Sequence, residues 1–107
     1  MSALAGEVLG RAGEGDPVAL AQALVAIPSV NPTLAPGGAG EAEIAAACAA
    51  WLGDRGFDAR MVEVAPGRCN VVATLNGEGP TLLLNGHLDT VGVEGMVVPP
   101  FGGPVQD

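Results

Sequence analysis

Residues 81–91 contain a short apolar run, an Asn-Gly pair and the only histidine of the sequence. The run is three consecutive leucines at residues 82–84. It predicts a strand buried on both faces, because a half-exposed strand would alternate apolar with polar side chains. Asn85 and Gly86 end the run. The sequence therefore predicts a strand that leads into a loop at its carboxyl end, where open α/β sheets place their functional sites.

His87 and Asp89 lie in this loop with one residue between them. Residues i and i+2 of an extended segment point to the same side, so we expect the imidazole and the carboxylate to be neighbours. A neutral imidazole binds zinc and similar ions through one ring nitrogen, and a carboxylate that accepts a hydrogen bond from the other nitrogen fixes the ring. Asp89 is equally suited to bind the metal or to steer a general base.

Two other interpretations of this pair have to be considered. A lone histidine in a loop is commonly solvated or hydrogen-bonded without binding a metal, and a motif this short does not exclude that. A serine hydrolase needs an activated serine, but Ser2 and Ser29 are the only serines, and neither lies in a Gly-x-Ser-x-Gly turn. Metal ligation and a plain loop histidine therefore both stay open from these residues alone.

The charge balance argues against two classes of partner. The chain has 4 Lys and Arg against 12 Asp and Glu, a formal net charge of -8. Nucleic acid and anionic membrane surfaces are bound through basic patches, so neither is an expected partner. The longest apolar run, residues 44–52, is much shorter than the ~20 residues that span a bilayer.

The two cysteines and the N-terminal residues predict the compartment. Cys48 and Cys69 lack Cys-x-x-Cys spacing and predict buried or half-buried thiols, which fits a reducing compartment better than a disulfide scaffold. The N-terminal residues include no basic region, and Glu7 interrupts their apolar residues, so a secretory signal is not expected. We therefore expect a cytoplasmic protein.

Periodicity and turn residues predict two main helices and three strands. Asp16 as N-cap and Pro17 at the first position begin a helix that ends before Pro28. A second helix with an apolar stripe is predicted at residues 41–52. The predicted strands are residues 57–64, residues 70–75 and, antiparallel to the second, residues 81–85. Residues 1–15 are predicted to form a short helix or a frayed arm. This order predicts the α/β class with an incomplete sheet.

Residues 82–91 resemble the first metal-binding motif of the M20 metallopeptidase/amidohydrolase family, a group of deacetylases, desuccinylases, aminoacylases and carboxypeptidases. Three further segments resemble the family in the same order. They are its early Ile-Pro-Ser loop at residues 26–32, a helix end and strand at residues 51–57, and the strand before the metal motif at residues 70–73.

The resemblance implies a role for each residue of the pair. His87 resembles a ligand of one ion in a two-zinc centre, and Asp89 resembles the active-site carboxylate that orients this histidine. The implied cofactor is Zn²⁺, with Co²⁺ or Mn²⁺ not distinguished by one histidine and one aspartate. The implied reaction is hydrolysis of an amide bond in an N-acyl amino acid or a short peptide.

The resemblance also implies a partial protein. Residues 1–107 correspond to the N-terminal portion of a metal-dependent catalytic domain, a zinc-peptidase-like mixed sheet flanked by helices. The second, smaller domain of the family and its remaining metal ligands find no match. We therefore expect the chain alone to be inactive. The alternative is a catalytically dead truncated fragment, or a binding or split module of the same fold.

Overall fold

The structure, a computed structural model, describes residues 15–102. This range contains the helices α1 (Pro17–Val25) and α2 (Ala42–Gly53) and the strands β1 (Asp58–Ala65) and β2 (Arg68–Thr74). The described residues fall into two compact units, one of residues 15–28 and 93–102 and the other of Ser29–Gly92. Neither helix in the described range is long and apolar enough to cross a membrane. The predicted arm at residues 1–15 lies outside the described residues except for Gly15.

Helix α1 begins where the sequence predicts. The Asp16 carboxylate accepts hydrogen bonds from the backbone N–H groups two and three residues further on, at 3.0 and 3.1 Å. Pro17 occupies the first turn, where its missing N–H has no cost. The helix ends at Val25, ahead of Pro28, as predicted.

Helix α2 packs across both strands of an antiparallel hairpin. Of the predicted apolar stripe, Ile44 is buried and Cys48, Trp51 and Leu52 are half-buried, so the stripe faces the core of its unit. Cys69 is buried and Cys48 is half-buried, and both thiols are free. Burial raises the pKa of the Cys48 thiol, which keeps it protonated. The predicted thiol state is confirmed, whereas the reducing, cytoplasmic location stays a prediction.

The connection between the helices is fastened to the hairpin at Glu41. We expected this residue in the first turn of α2, but the helix begins one residue later and Glu41 makes no capping hydrogen bond. Its carboxylate accepts instead from Nε of Arg68, at 3.0 and 2.8 Å. Gly40 comes so close that an added Cβ would lie 2.8 Å from the Gly67 carbonyl oxygen. The end of residues 29–40 is thus fixed to the hairpin turn.

The predicted third strand is wrong. Residues 75–89 form neither helix nor strand, and the leucines at residues 82–84 are 82%, 84% and 84% exposed. Strand β2 pairs only with β1 within the part of the chain that the structure describes. A strand that is apolar on both faces is stable only when protein covers both faces and pairs its edges. Residues 15–102 supply neither, which accounts for the exposure of these leucines.

The Glu41–Arg68 pair gives a test of this anchoring. Replacing Arg68 with Met keeps an unbranched apolar stem but leaves the largely buried Glu41 carboxylate without its donor. We expect the free energy of unfolding to fall by about 1.5–3 kcal/mol, the usual loss for a hydrogen bond to a charged group. Urea unfolding followed by fluorescence of Trp51, the only tryptophan, measures it.

The control for this test is Arg60→Met on β1, where the side chain is exposed. This variant should change the free energy of unfolding by no more than about 0.5 kcal/mol, as is usual for surface positions. Equal losses in the two variants would contradict the anchoring role of Arg68.

Candidate metal centre

A parallel bridge joins the segment that follows His87 to residues 29–31. Val30 pairs with Thr90 in this isolated bridge. The backbone N–H of Asn31 donates to the Thr90 carbonyl oxygen at 2.9 Å, and the Thr90 N–H donates to the Ser29 carbonyl oxygen at 3.0 Å. No local pattern predicts this pairing, because the two segments lie about 60 residues apart. The bridge fixes the backbone immediately after Asp89.

Ser29 fixes the backbone on the other side of Asp89. Its hydroxyl donates to the Leu88 carbonyl oxygen at 2.9 Å, and the residue is only 2% exposed. A buried hydroxyl engaged in this way is a structural donor, in agreement with the absence of a nucleophilic-serine motif. Asp89 therefore lies between two residues whose backbone is held by the same short segment.

His87 and Asp89 are neighbours, as their spacing predicts. Nδ1 of His87 lies 2.9 Å from the backbone oxygen of Asp89 and 3.2 Å from its carboxylate Oδ1. Both partners are acceptors, so the neutral ring carries its proton on Nδ1. The His87 side chain is 82% exposed. Nε2 is then the nitrogen that bears a lone pair, which is the state a metal ligand requires.

Asn31 is the second partner of the Asp89 carboxylate. Its Nδ2 donates to Oδ2 of Asp89 at 2.9 Å. This hydrogen bond is the largest influence on the carboxyl and holds the pKa of Asp89 below its ordinary value. Partial desolvation acts in the opposite direction, and the charge interaction with His87 lowers the pKa of Asp89 further. The carboxylate is thus ionised and engaged through both oxygens.

The donor chemistry of this pair fits one oriented metal ligand and no more. Among residues 15–102, no three His, Cys, Asp or Glu side chains lie close enough to hold a metal ion together. A catalytic zinc takes three protein ligands. His87 would supply one nitrogen, while Asp89 fixes the ring from behind. The described residues therefore fit a part of a metal site.

The structure brings together the two residues that the sequence singled out, and it adds a third. The metal-binding role of His87 and the catalytic role of Asp89 stay predictions. Sequence reasoning missed Asn31 as a site residue, although it lies in the Ile-Pro-Ser segment that resembles the family. Nothing in the sequence could indicate its partner, which lies 58 residues further on.

The Asn31 hydrogen bond predicts a measurable change in the titration of Asp89. Asn31→Ala should raise the pKa of Asp89 toward about 3.9, the ordinary value for aspartate. A carboxyl whose pKa is lowered by folding stabilises the fold above its unfolded pKa, and this contribution disappears as the pH falls through the folded value. The difference in unfolding free energy between the wild type and Asn31→Ala should therefore narrow below about pH 4.

The measurement is the ¹³C chemical shift of the Asp89 carboxyl carbon during an acid titration. Asn70→Ala, at an exposed position of β2, is the control and should leave the Asp89 titration unchanged. An Asp89 titration that is the same in the wild type and in Asn31→Ala would contradict the assigned cause.

Comparison with known proteins gives relatives of one name. The chain is 38% identical to an acetylornithine deacetylase of Vibrio campbellii over 71 residues, which cover 65% of this chain and 18% of that enzyme. It is 39% identical over 71 residues to the acetylornithine deacetylase of Vibrio cholerae, and 54% identical over 44 residues to that of Vibrio atlanticus. No family model and no solved structure matches the chain.

The matches cover only a small part of each relative. The matched segment spans 18% of the length of the first two relatives and 11% of the third. Their shared name agrees with the deacetylase and amidohydrolase group that residues 82–91 and the three earlier segments resemble. The resemblance of this chain to the M20 family is thereby confirmed by its relationship to acetylornithine deacetylases.

Proposed function

We propose that this chain carries the first metal-binding segment of a metal-dependent hydrolase of amide bonds. The observation that supports this most is the state of His87, whose Nδ1 faces Asp89 while the ring is 82% exposed. A solvated loop histidine needs no such partner, whereas a metal ligand needs its tautomer fixed. The proposed substrate class is an N-acyl amino acid or a short peptide, in keeping with the deacetylase name of the relatives.

His87 and Asp89 have different parts in this proposal. His87 would offer Nε2 to Zn²⁺, or to Co²⁺ or Mn²⁺, and a bound ion of this kind supplies a Lewis acid that polarises an amide carbonyl. Asp89 accepts the hydrogen bond from Nδ1–H of His87 and so fixes the tautomer and the orientation of the ring. Its lowered pKa makes it a poor base, so its contribution is orientation and negative charge behind the ligand.

Metal titration of the 107-residue chain tests the assignment of His87. Because it is the only histidine, its ring nitrogens give one unambiguous set of ¹⁵N signals. Addition of Zn²⁺ should shift Nε2 and leave Nδ1 protonated. Binding should be weak, since residues 15–102 bring fewer than three candidate ligands together. His87→Gln should abolish it, and Asp89→Asn should weaken it about 10–100-fold, the usual cost of losing a ligand's orienting partner.

Glu78→Gln, which removes an exposed acidic side chain, is the control for nonspecific binding and should leave the zinc affinity unchanged. Zinc binding that persists in His87→Gln would contradict the proposed ligand. The same chain should show no turnover of N-acetyl amino acids with zinc present. Clear turnover would contradict the inference that this segment holds only part of the site.

A second candidate function is a non-catalytic binding or split module of the same fold. It is favoured by the exposed leucines at residues 82–84 together with the absence, among the described residues, of a three-ligand cluster. Contiguous exposed apolar patches are uncommon on soluble monomers and mark interaction sites. In this second function, the segment binds another polypeptide.

Self-association tests this second candidate. The wild-type chain should associate as its concentration rises, and Leu83→Glu should reduce the association because it places a charge in the middle of the exposed segment. Thermal unfolding should be nearly unchanged, since Leu83 makes little contact in the fold. Val97→Glu, at a position that is 98% exposed, is the matched control. Sedimentation velocity measures the effect, and a wild type that stays monomeric at all concentrations would contradict self-association through this segment.

A further inference from the structure

We propose that Asn31 is the residue that positions the His87–Asp89 pair. It does so by connecting the pair to helix α2 and the β1–β2 hairpin, which together are called the scaffold below. This inference rests on the proposed function, since a fixed ring matters most for a metal ligand. It adds a residue of the Ile-Pro-Ser segment to the site and gives its amide group a defined role. The amide holds one oxygen of Asp89 so that the other oxygen faces His87.

A continuous series of polar contacts leads from the scaffold to Asn31. The carboxylate of Glu41, at the start of α2, accepts from Arg68 of β2. The Arg68 guanidinium approaches the hydroxyl of Thr33, with Nη1 3.4 Å from Oγ1. The backbone N–H of Thr33 donates to Oδ1 of Asn31 at 2.8 Å. The amide of Asn31 is therefore held from the scaffold side before it contacts Asp89.

The orientation of the Asn31 amide follows from its two partners. A carboxylate oxygen, which only accepts, lies beside one end, and an N–H group, which only donates, lies beside the other. The opposite orientation would place the amide oxygen against the carboxylate and the amide nitrogen against the N–H of Thr33. Both contacts would be repulsive, so one orientation is strongly preferred.

This arrangement limits the rotation of the Asp89 carboxylate. Asn31 holds Oδ2 at 2.9 Å, which leaves Oδ1 3.2 Å from Nδ1 of His87. Without the amide, the carboxylate can turn toward solvent, and the Nδ1 proton keeps only the backbone oxygen of Asp89. The ring is then less firmly fixed as the Nδ1–H tautomer with Nε2 free. Hydrogen bonds to the partner of a ligand commonly act on metal affinity in this way.

The test compares Asn31→Asp and Asn31→Ala with the wild-type 107-residue chain. Asn31→Asp is nearly isosteric and keeps an oxygen acceptor for Thr33, but it replaces the donor toward Asp89 with a second carboxylate. Long-range ¹H–¹⁵N spectra at about pH 8.5, well above the ordinary histidine pKa of about 6.5, report the tautomer of the neutral ring. We expect mainly Nδ1–H in the wild type and a clear shift toward Nε2–H in both variants.

Zinc affinity provides a second readout, and a double-mutant cycle shows whether Asn31 acts through Asp89. Asn31→Ala should weaken zinc binding about tenfold in the wild-type background. In an Asp89→Ala background it should change neither the affinity nor the tautomer, since the carboxylate it positions is gone. A purely structural role would give the same loss in both backgrounds.

The outcomes separate this inference from the proposed function. A tautomer shift in the Asn31 variants that vanishes in the Asp89→Ala background supports the positioning role, whether or not the chain binds zinc. Zinc binding at His87 with an unchanged tautomer and affinity in Asn31→Asp would overturn the positioning role and leave the proposed function standing. Equal effects in the two backgrounds would also overturn it.

Discussion

The parallel bridge between Val30 and Thr90 is the contact on which the arrangement of the candidate site depends. It pairs two short segments that lie about 60 residues apart, and Val30 is 8% exposed at its centre. Because the bridge fixes Thr90 and the Ser29 hydroxyl fixes Leu88, the backbone of Asp89 has little freedom. The side-chain contacts of Asp89 with Asn31 and His87 therefore start from a backbone conformation that contacts within the protein fix without a metal ion.

The rest of the unit formed by Ser29–Gly92 explains why residues 29–31 can hold the backbone around Asp89 in place. Helix α2 and the β1–β2 hairpin form its core, and the Glu41–Arg68 pair ties the chain ahead of α2 to β2. The loop carrying Asn31 is thus attached to the bridge at one end and to the scaffold at the other. His87 lies at the exposed end of this arrangement, with one ring nitrogen engaged. This is the geometry that the proposed role of His87, as one ligand of a larger metal site, requires.

Local patterns predicted much of this structure. The N-cap at Asp16 and the apolar stripe of α2 are decided by residues near in sequence, and they form as predicted. The i, i+2 spacing also brought His87 and Asp89 together. What sequence reasoning could not reach depends on distant partners: the contact of Asn31 with Asp89, and the fate of residues 82–84. The leucine run predicted a buried strand. Burial needs neighbouring segments that cover the leucines, and residues 15–102 do not provide them.

A graft into a relative would show whether His87 can serve as a metal ligand in a working enzyme. A segment of this chain that includes His87 and the 71 matched residues would replace its counterpart in the Vibrio campbellii acetylornithine deacetylase, so that the candidate ligand lies in a complete related enzyme. Zinc content and deacetylation of acetylornithine are then measured for the graft and for its His87→Gln variant. We predict a folded graft that holds zinc and turns over substrate, with both properties lost or sharply reduced in His87→Gln. A graft that binds zinc and deacetylates equally well with glutamine at position 87 would contradict the assignment of His87 as a ligand.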